Sequence, residues 1–210
     1  MIRFVYGDEL DRFPYLKRTM FQDRAAQFKA RLDWDVTVND AGEEIDEYDA
    51  INPLYVIWEG PDGRHCGSMR GLPTVGRTMT AEHFRHLTDG VHIQSPLIWE
   101  VTRFCLAPGA GPNVAAGLML AGCELGLRFG LDQCLGVFDA RMTRIYGRIG
   151  FSPDVIGADG DDRNSISVGV WTFTDEARRT ISARSGIPLA LAEKWFDDAF
   201  SAQAPIEAVA

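Results

Sequence analysis

The sequence predicts an α/β (α+β) fold in which one mixed β-sheet is flanked by helices. Short runs of β-branched and aromatic residues, at 2–6, 54–59 and 97–106, have the length and composition of strands. Longer segments, at 13–32 and 114–129, repeat apolar residues at helical spacing. Because both kinds of segment alternate along the chain, helices are expected to cover the faces of a single sheet.

The first half of the chain is predicted to contain a strand, a long helix and a hairpin. Strand 2–6 is followed by helix 13–32. Residues 35–53 lack periodicity and are rich in Asp, Glu, Asn and Gly, which indicates an ordered loop. The turn Pro61-Asp62-Gly63 then joins strands 54–59 and 66–72 into the hairpin.

The second half is predicted to alternate strands and helices. Thr80 is expected to cap a short helix that contains Phe84 and Leu87. The turn Gly109-Ala110-Gly111-Pro112 connects strand 97–106 to helix 114–129. Strand 135–138, helix 140–149, strand 165–173 and helices 174–184 and 188–200 complete the predicted elements. Residues 1–200 are interpreted as one domain, and residues 201–210 as a flexible tail.

Composition and charge exclude several classes of protein. The formal net charge of −9 argues against a nucleic-acid binder, which needs a basic surface. The four cysteines form no CxxC pair, so no metal site is expected, and because no export signal is recognisable their thiols are expected to be reduced. No apolar run approaches the roughly 20 residues that span a bilayer, so no membrane partner is expected. With no recognisable export signal, a cytoplasmic location is predicted.

Charged residues lie inside segments that otherwise look buried. Arg24 shares a helix face with Met20 and Phe28, so it either snorkels to water or meets buried carboxylates. Glu100 and Arg103 lie in an otherwise hydrophobic strand. In a regular strand these two positions point to opposite faces, so a β-bulge between them is predicted to bring both to one side.

Further charged residues occur upstream of that strand. Arg70 is placed late in its strand between glycines, and Asp46 and Asp49 lie in the acidic loop that follows Trp34. Arg70, Asp46 and Asp49 are also compatible with a purely structural role. The loop is compatible with a solvated acidic surface, and buried ion pairs often only organise a core.

The order and spacing of these residues resemble the signature of the acyl-homoserine-lactone synthases, the autoinducer synthases of bacterial quorum sensing. The matching positions are Arg24, Phe28, Trp34, Asp46, Asp49, Arg70, Phe84, Glu100 and Arg103. Residues 97–151 also resemble the acyl-CoA-binding half of the GCN5-related N-acetyltransferase fold. In that fold the central strands splay apart around an acyl-pantetheine, and the Gly-rich turn before the helix binds phosphate.

The resemblance implies an acyltransferase with two substrates. The amine of S-adenosylmethionine is acylated from a thioester of acyl carrier protein or coenzyme A (CoA). Lactone closure then releases methylthioadenosine. S-adenosylmethionine and the acyl thioester are both consumed as substrates, so the resemblance implies no resident cofactor and no metal.

The resemblance also assigns roles to individual residues. Glu100 would be the base, directly or through water, since burial makes a carboxylate more basic. Backbone N–H groups near residues 101–104 would stabilise the oxyanion. The catalytic set is Glu100, Arg103, Asp46 and Arg70. The S-adenosylmethionine set is Arg24, Phe28, Trp34, Asp46, Asp49, Phe84 and Arg103.

An acyl pocket and a docking surface are expected in the second half of the fold. The predicted acyl pocket comprises Val101, Phe104, Leu118, Met119, Val137, Met142, Ile145 and Tyr146. Arg141, Arg144 and Arg148 recur at i, i+3 and i+7, so they share a helix face. That face would suit an acidic carrier protein or the phosphates of CoA, and a solvated helix face remains the alternative.

Two other functions remain open from the sequence. A general CoA-dependent N-acetyltransferase would explain residues 97–151, although it leaves the upstream Arg, Trp and Asp series unexplained. A non-catalytic module that binds a fatty or nucleotide ligand would use the ion pairs only to organise a core. The substitution Glu100→Gln separates enzyme from binding module, because only an enzyme would lose turnover while staying folded.

Overall fold

A computed structural model describes residues 1–160 and 165–201 of the chain. Its strands form one sheet of seven, in the order β1-β2-β3-β4-β5-β7-β6. The strands are β1 (Ile2–Tyr6), β2 (Leu54–Glu59), β3 (His65–Pro73), β4 (Ile98–Leu106), β5 (Gln133–Asp139), β6 (Asp154–Asp159) and β7 (Ile166–Thr172). The helices are α1 (Pro14–Arg24), α2 (Met79–His83), α3 (Val114–Arg128), α4 (Ala140–Ile149), α5 (Asp175–Ser185) and α6 (Leu189–Phe200). The predicted mixed sheet with flanking helices is therefore confirmed.

The two central strands separate partway along their length. β4 and β5 are parallel and pair only from Ile98 to Glu100, opposite Gln133 to Leu135. Beyond that point β4 continues against β3, and β5 continues against β7. The sheet thus opens between the carboxyl ends of β4 and β5, which confirms the predicted splay.

β4 carries a bulge at 103–104, next to the predicted position between Glu100 and Arg103. The register between β3 and β4 shifts between Ser68 and Arg70, whose partners are Cys105 and Thr102. One extra residue therefore lies on β4, and Arg103 adopts a left-handed backbone with φ 53°. The side chains of Thr102 and Arg103 consequently reach the same group of charged residues.

The first predicted helix is continuous in path but not in type. A 3₁₀ turn (Gly7–Arg12) precedes α1, and a π-helix (Ala25–Arg31) follows it. The predicted helix 13–32 is therefore confirmed in extent, from Pro14 to Arg31, but it is π-helical after Arg24. Apolar spacing does not distinguish a π turn from an α turn, because both keep a side chain such as Phe28 on the inner side.

Two details of the second half also differ from the prediction. Thr78, rather than Thr80, caps α2: it is extended, and its hydroxyl accepts a hydrogen bond from the backbone N–H of Ala81. Phe84 ends that helix, and Leu87 lies in the following 3₁₀ turn (Arg85–Thr88). Strand β6 was not predicted, because its side chains are mostly exposed and show no apolar alternation.

Helices cover both faces of the sheet. α1 packs over Val5, Tyr55 and Ile57 on one face. The larger cluster on the other face joins α3 and α6 to residues such as Phe4 and Val56. Among the described residues, no helix has both the length and the hydropathy needed to cross a bilayer. Residues 202–210 of the predicted tail lie outside the described residues.

Candidate active site

Three arginines and three carboxylates form a closed ring, which we call the arginine–carboxylate ring. Its members are Arg24, Glu44, Arg103, Asp46, Arg70 and Asp49, in the order of their contacts. Each carboxylate bridges two arginines, and each arginine bridges two carboxylates. The charges alternate and sum to zero, so each buried charge has partners of opposite sign.

Arg24 and Arg70 form the deepest part of the ring. Arg24 Nε lies 2.6 Å from Glu44 Oε2, and its Nη1 and Nη2 each lie 2.9 Å from an oxygen of Asp49. Arg70 Nη2 lies 2.9 Å from Asp46 Oδ2, and its Nε donates to the Thr102 hydroxyl across the β3–β4 pair. Arg24 is therefore not a snorkelling side chain, since it is 1% exposed.

Glu44 completes the ring and was missed by the sequence analysis. Its Oε1 lies 2.8 Å from Nη2 of Arg103, which it thereby links to Arg24. It is 1% exposed, although it lies in a loop of acidic residues that was also compatible with a solvated surface. The sequence offered three arginines against two loop aspartates, which indicated a further carboxylate. That imbalance did not distinguish Glu44 from Glu43 or Glu47.

The ring holds Asp49 and Arg24 in their charged forms. Burial alone would raise the pKa of Asp49, but the adjacent Arg24 and Arg70 guanidinium groups outweigh burial and lower it. Burial opposes the charge of Arg24, yet its contacts with Asp49 and Glu44 raise the pKa of Arg24. These two ring members therefore remain charged across the ordinary pH range.

Aromatic side chains line the cleft beside the ring. Phe28 and Trp34 stack with ring centroids 5.2 Å apart and planes 10° apart. The Arg103 guanidinium lies 5.5 Å from the Phe28 centroid. Tyr48 lies between Arg70 and Arg77, and its hydroxyl donates to Glu82 at 2.7 Å. Aromatic faces next to charged groups suit a ligand that is both flat and cationic.

A large cleft of about 850 Å³ opens onto the exposed side of the ring. Of the predicted S-adenosylmethionine set, Phe28, Trp34, Asp46, Phe84 and Arg103 line it. Arg24, Asp49 and Arg70 do not line it; they lie behind the lining residues and hold them. The structure thus divides the predicted set into residues that face the cleft and residues that support them.

A narrower apolar cavity of about 100 Å³ lies between α3 and the splayed strands. Of the predicted acyl pocket, Val101, Phe104, Met119, Val137 and Tyr146 line this cavity. The other three predicted residues do not.

Met142 and Ile145 line the large cleft instead of the narrow cavity. Leu118 lines neither and is wholly buried in the main core, so its assignment to the pocket was wrong. The physical reason is that α3 is covered on both sides, by the sheet and by α5 and α6, so apolar character does not identify its cavity side.

The two cavities meet where β4 and β5 diverge. Among the residues that the structure describes, five line both: Thr102, Arg103, Phe104, Val137 and Tyr146. The β4 bulge is part of this junction, because Arg103 is its left-handed residue. The junction can therefore hold a charged group at the ring and an apolar chain in the narrow cavity at the same time.

Glu100 has a definite place outside both cavities. Its Oε2 accepts a hydrogen bond from Met79 N at 2.8 Å, and its Oε1 accepts one from Thr80 N at 2.6 Å. It is 1% exposed and lines neither cavity. Glu100 thus holds the first turn of α2, which carries Met79 into the cleft wall beside Arg103.

The predicted docking arginines lie on α4, next to the cleft. Arg141, Arg144 and Arg148 are all exposed, as a shared outer helix face requires. Arg141 lines the cleft and contacts Asp139 at 3.0 Å. The Gly109–Pro112 turn immediately precedes α3, and Gly109 has φ 76°.

Several solved acyltransferases share this fold. An acyl-CoA N-acyltransferase from Pseudomonas aeruginosa superposes with a TM-score of 0.51 at 16% identity, covering 81% of this chain and 97% of that one. The fold is therefore that of a class of solved acyltransferases, and in this chain it has an apolar cavity between splayed strands with a charged cleft at the mouth.

The sequence comparisons identify the family within that class. The model of the family described as Autoinducer synthase matches residues 12–182, so the chain belongs to the autoinducer synthase family. An acyl-homoserine-lactone synthase of Rhizobium etli is 38% identical over 190 residues, covering 87% of this chain and 89% of that protein. Another, of Agrobacterium fabrum, is 29% identical over 183 residues, covering 82% and 86%.

Solved family structures agree with the fold. A CoA-dependent acyl-homoserine lactone synthase, MesI, superposes with a TM-score of 0.79 at 23% identity, covering 90% of this chain and 96% of that one. The AHL synthase LasI superposes with a TM-score of 0.75 at 25% identity, covering 87% and 94%. A further CoA-dependent synthase, BjaI, solved with SAM and isopentyl-CoA, gives a TM-score of 0.78 at 22% identity, covering 92% and 99%.

Proposed function

We propose that the chain makes an acyl-homoserine lactone, a quorum-sensing signal, from S-adenosylmethionine and an acyl thioester. The observation that carries the proposal is the junction at the β4 bulge, where the charged cleft and the apolar cavity share five lining residues. A reaction between a charged amine and an apolar acyl chain needs these two environments to meet at the reacting atoms.

S-adenosylmethionine occupies the large cleft in this proposal. Asp46 and Arg103 are the most exposed ring members, at 12% and 10% of the side chain. Arg103 binds the methionyl carboxylate, and Asp46 binds the positive amine or sulfonium. Phe28 and Trp34 contact the adenosyl part. Arg24, Arg70 and Asp49 support these residues from behind.

The reaction proceeds in two bond exchanges. The amine nitrogen loses a proton and attacks the thioester carbonyl, the C–S bond breaks, and the carrier thiol leaves with a proton. The methionyl carboxylate oxygen then attacks the γ-carbon, the bond from that carbon to sulfur breaks, and methylthioadenosine leaves. No electrons are gained or lost overall, so the proposed reaction needs no redox cofactor.

Two parts of the site assist the first step. The extra residue of the β4 bulge leaves backbone N–H groups outside the ladder, and these are the proposed donors to the oxyanion. Glu100 remains the proposed base, acting through water, because both its oxygens already accept backbone hydrogen bonds. Asp46 is the second candidate, favoured by its exposure to the cleft.

The acyl chain enters the narrow cavity, and its carrier docks outside. The exposed face of α4 with Arg141, Arg144 and Arg148 is the proposed contact for the acidic carrier protein or for the phosphates of CoA. We also propose a cytoplasmic location, where both substrates are made.

The test is mass spectrometry of the purified protein with S-adenosylmethionine and a panel of acyl-CoA and acyl-carrier-protein thioesters. We expect an acyl-homoserine lactone and methylthioadenosine in equal amounts. Thioester consumption without either product would instead favour a general N-acetyltransferase. A folded protein that consumes no thioester would favour a binding module.

Substitution of the two candidate bases separates their roles. If Glu100 is the base, Glu100→Gln abolishes single-turnover acylation and Asp46→Asn mainly raises KM for S-adenosylmethionine. If Asp46 is the base, Asp46→Asn abolishes acylation, and Glu100→Gln weakens it through the loss of one hydrogen bond to α2. Circular dichroism confirms that each variant is folded.

A further inference from the structure

The narrow apolar cavity passes beneath β3 at Met69 and Gly71. Trp99 covers Gly71, since a Cβ added there would lie 3.3 Å from the Trp99 ring. Leu54 and Val56 of β2 line its far end, and Phe104 of β4 lines its mouth. Because β3 lies between β2 and β4 in the sheet, a chain that enters at the mouth reaches the β2 end only by crossing β3. Met69 is the β3 residue that projects toward α3 along this route.

Met69 is packed against a glycine on the opposite wall. A Cβ placed on Gly122 of α3 would lie 2.5 Å from Met69 Cε and 3.7 Å from its Sδ. The terminal methyl of Met69 therefore fills the space that a side chain at position 122 would take. Methionine is unbranched and has three rotatable side-chain bonds, so this obstruction is adjustable.

We propose that Met69, seated against Gly122, sets the length of the acyl chain that the enzyme prefers. The inference rests on the proposed function and names a specificity residue for it. An acyl chain extends from the junction until its end meets the Met69 thioether. A longer acyl chain either displaces the Met69 side chain or leaves some of its methylene groups in the polar cleft. Methylene groups in the polar cleft lose the free energy gained by apolar burial.

Two substitutions move the obstruction in opposite directions. Met69→Ala removes Cγ, Sδ and Cε, so we expect the preferred chain to lengthen by about three carbons, one for each heavy atom removed. Gly122→Ala adds a methyl group that pushes the thioether into the cavity, so we expect a shorter preferred chain. Gly147→Ala is the matched control, because a Cβ at Gly147 meets nothing within 4 Å.

The experiment offers each protein S-adenosylmethionine and a competing ladder of unbranched thioesters, from butanoyl to hexadecanoyl, supplied in parallel on CoA and on acyl carrier protein. The lactones are resolved by mass, and methylthioadenosine reports total turnover. Longer products from Met69→Ala with shorter products from Gly122→Ala support the inference. Gly147→Ala should keep the wild-type distribution.

The outcomes separate the inference from the proposed function. A folded Met69→Ala that keeps the wild-type product distribution overturns the inference, while lactone formation leaves the function intact. If Met69→Ala does not fold, an unchanged distribution from Gly122→Ala overturns it equally. A wild-type protein that forms no lactone from any thioester overturns the proposed function, and the inference with it.

Discussion

Arg24 donates hydrogen bonds to Asp49 from both terminal nitrogens: Nη1 and Nη2 each lie 2.9 Å from a different carboxylate oxygen. Such a forked contact needs a planar guanidinium, and it leaves Nε to contact Glu44. One arginine thereby fixes the relative position of two loop carboxylates. The members of the arginine–carboxylate ring come from the end of α1, the acidic loop and the two strands β3 and β4.

Arg24→Lys should destabilise the fold although it preserves the charge. A lysine ammonium cannot span Glu44 and Asp49, so one buried carboxylate loses its partner. We expect the free energy of unfolding in urea to fall by about 2–4 kcal/mol. Arg12→Lys is the control, since Arg12 is 70% exposed beside Glu9, and we expect a change within about 0.5 kcal/mol. Equal effects of the two substitutions would contradict the structural role of the ring.

Glu44→Gln should impair substrate binding more than it impairs folding. The amide retains its shape but loses the negative charge shared by Arg24 and Arg103. Arg103 would then lose the orientation proposed for binding the substrate carboxylate. We expect kcat/KM for S-adenosylmethionine to fall by about 10–100-fold, a loss of about 1.4–2.7 kcal/mol.

The neighbouring Glu43→Gln provides the matched control. Glu43 contacts Asn39 and no arginine of the ring. Its substitution should leave kcat/KM within about twofold of wild type. If Glu43→Gln and Glu44→Gln lower kcat/KM alike, the loop acts through its general negative charge and not through the ring.

His65 should make stability depend on pH. Burial lowers the pKa of His65, against the opposing effect of Asp23, whose Oδ2 lies 2.9 Å from Nδ1. Arg64 and Arg24 also face it and lower the pKa further. The folded protein therefore keeps the imidazole neutral at pH values where the unfolded chain binds a proton.

The sign follows from this difference in bound protons. The contribution of His65 to stability is complete above about pH 6.5, the ordinary histidine pKa, and declines as the pH falls. The slope is at most about 1.4 kcal/mol per pH unit. Urea unfolding across this range should show the decline in wild type and less of it in His65→Gln. The exposed His92→Gln should behave as wild type, and a decline equally reduced by His92→Gln would refute the assignment to His65.

Arg144→Glu should weaken docking of an acidic carrier. Arg144 is exposed on α4, so charge reversal replaces attraction by repulsion. We expect KM for acyl carrier protein to rise about tenfold at low salt, with a smaller rise at high salt because the charges are screened. KM for S-adenosylmethionine should stay unchanged. Arg18→Glu, an exposed reversal on α1, should leave both constants unchanged, and a KM unaffected by Arg144→Glu would rule out docking through this residue.

Local patterns in the sequence determined most of the framework. Strands such as β1 and β2 follow from runs of branched and aromatic residues, and their bounds were predicted to the residue. Glu100 and Arg103 would point to opposite faces of a regular strand, which predicted a bulge in β4, and the bulge lies beside the predicted position, at 103–104. These features depend on the chain within a few residues, where spacing and side-chain type are sufficient.

The tertiary structure alone decided which groups meet. Glu44 has acidic neighbours of the same type, and only the approach of Arg24 and Arg103 from distant elements distinguishes it. Leu118 was placed in the core because α5 and α6 cover the second side of α3. The cap that Glu100 provides to α2 joins residues 20 or more positions apart. Such contacts depend on how elements pack across the sheet, and no local spacing encodes that packing.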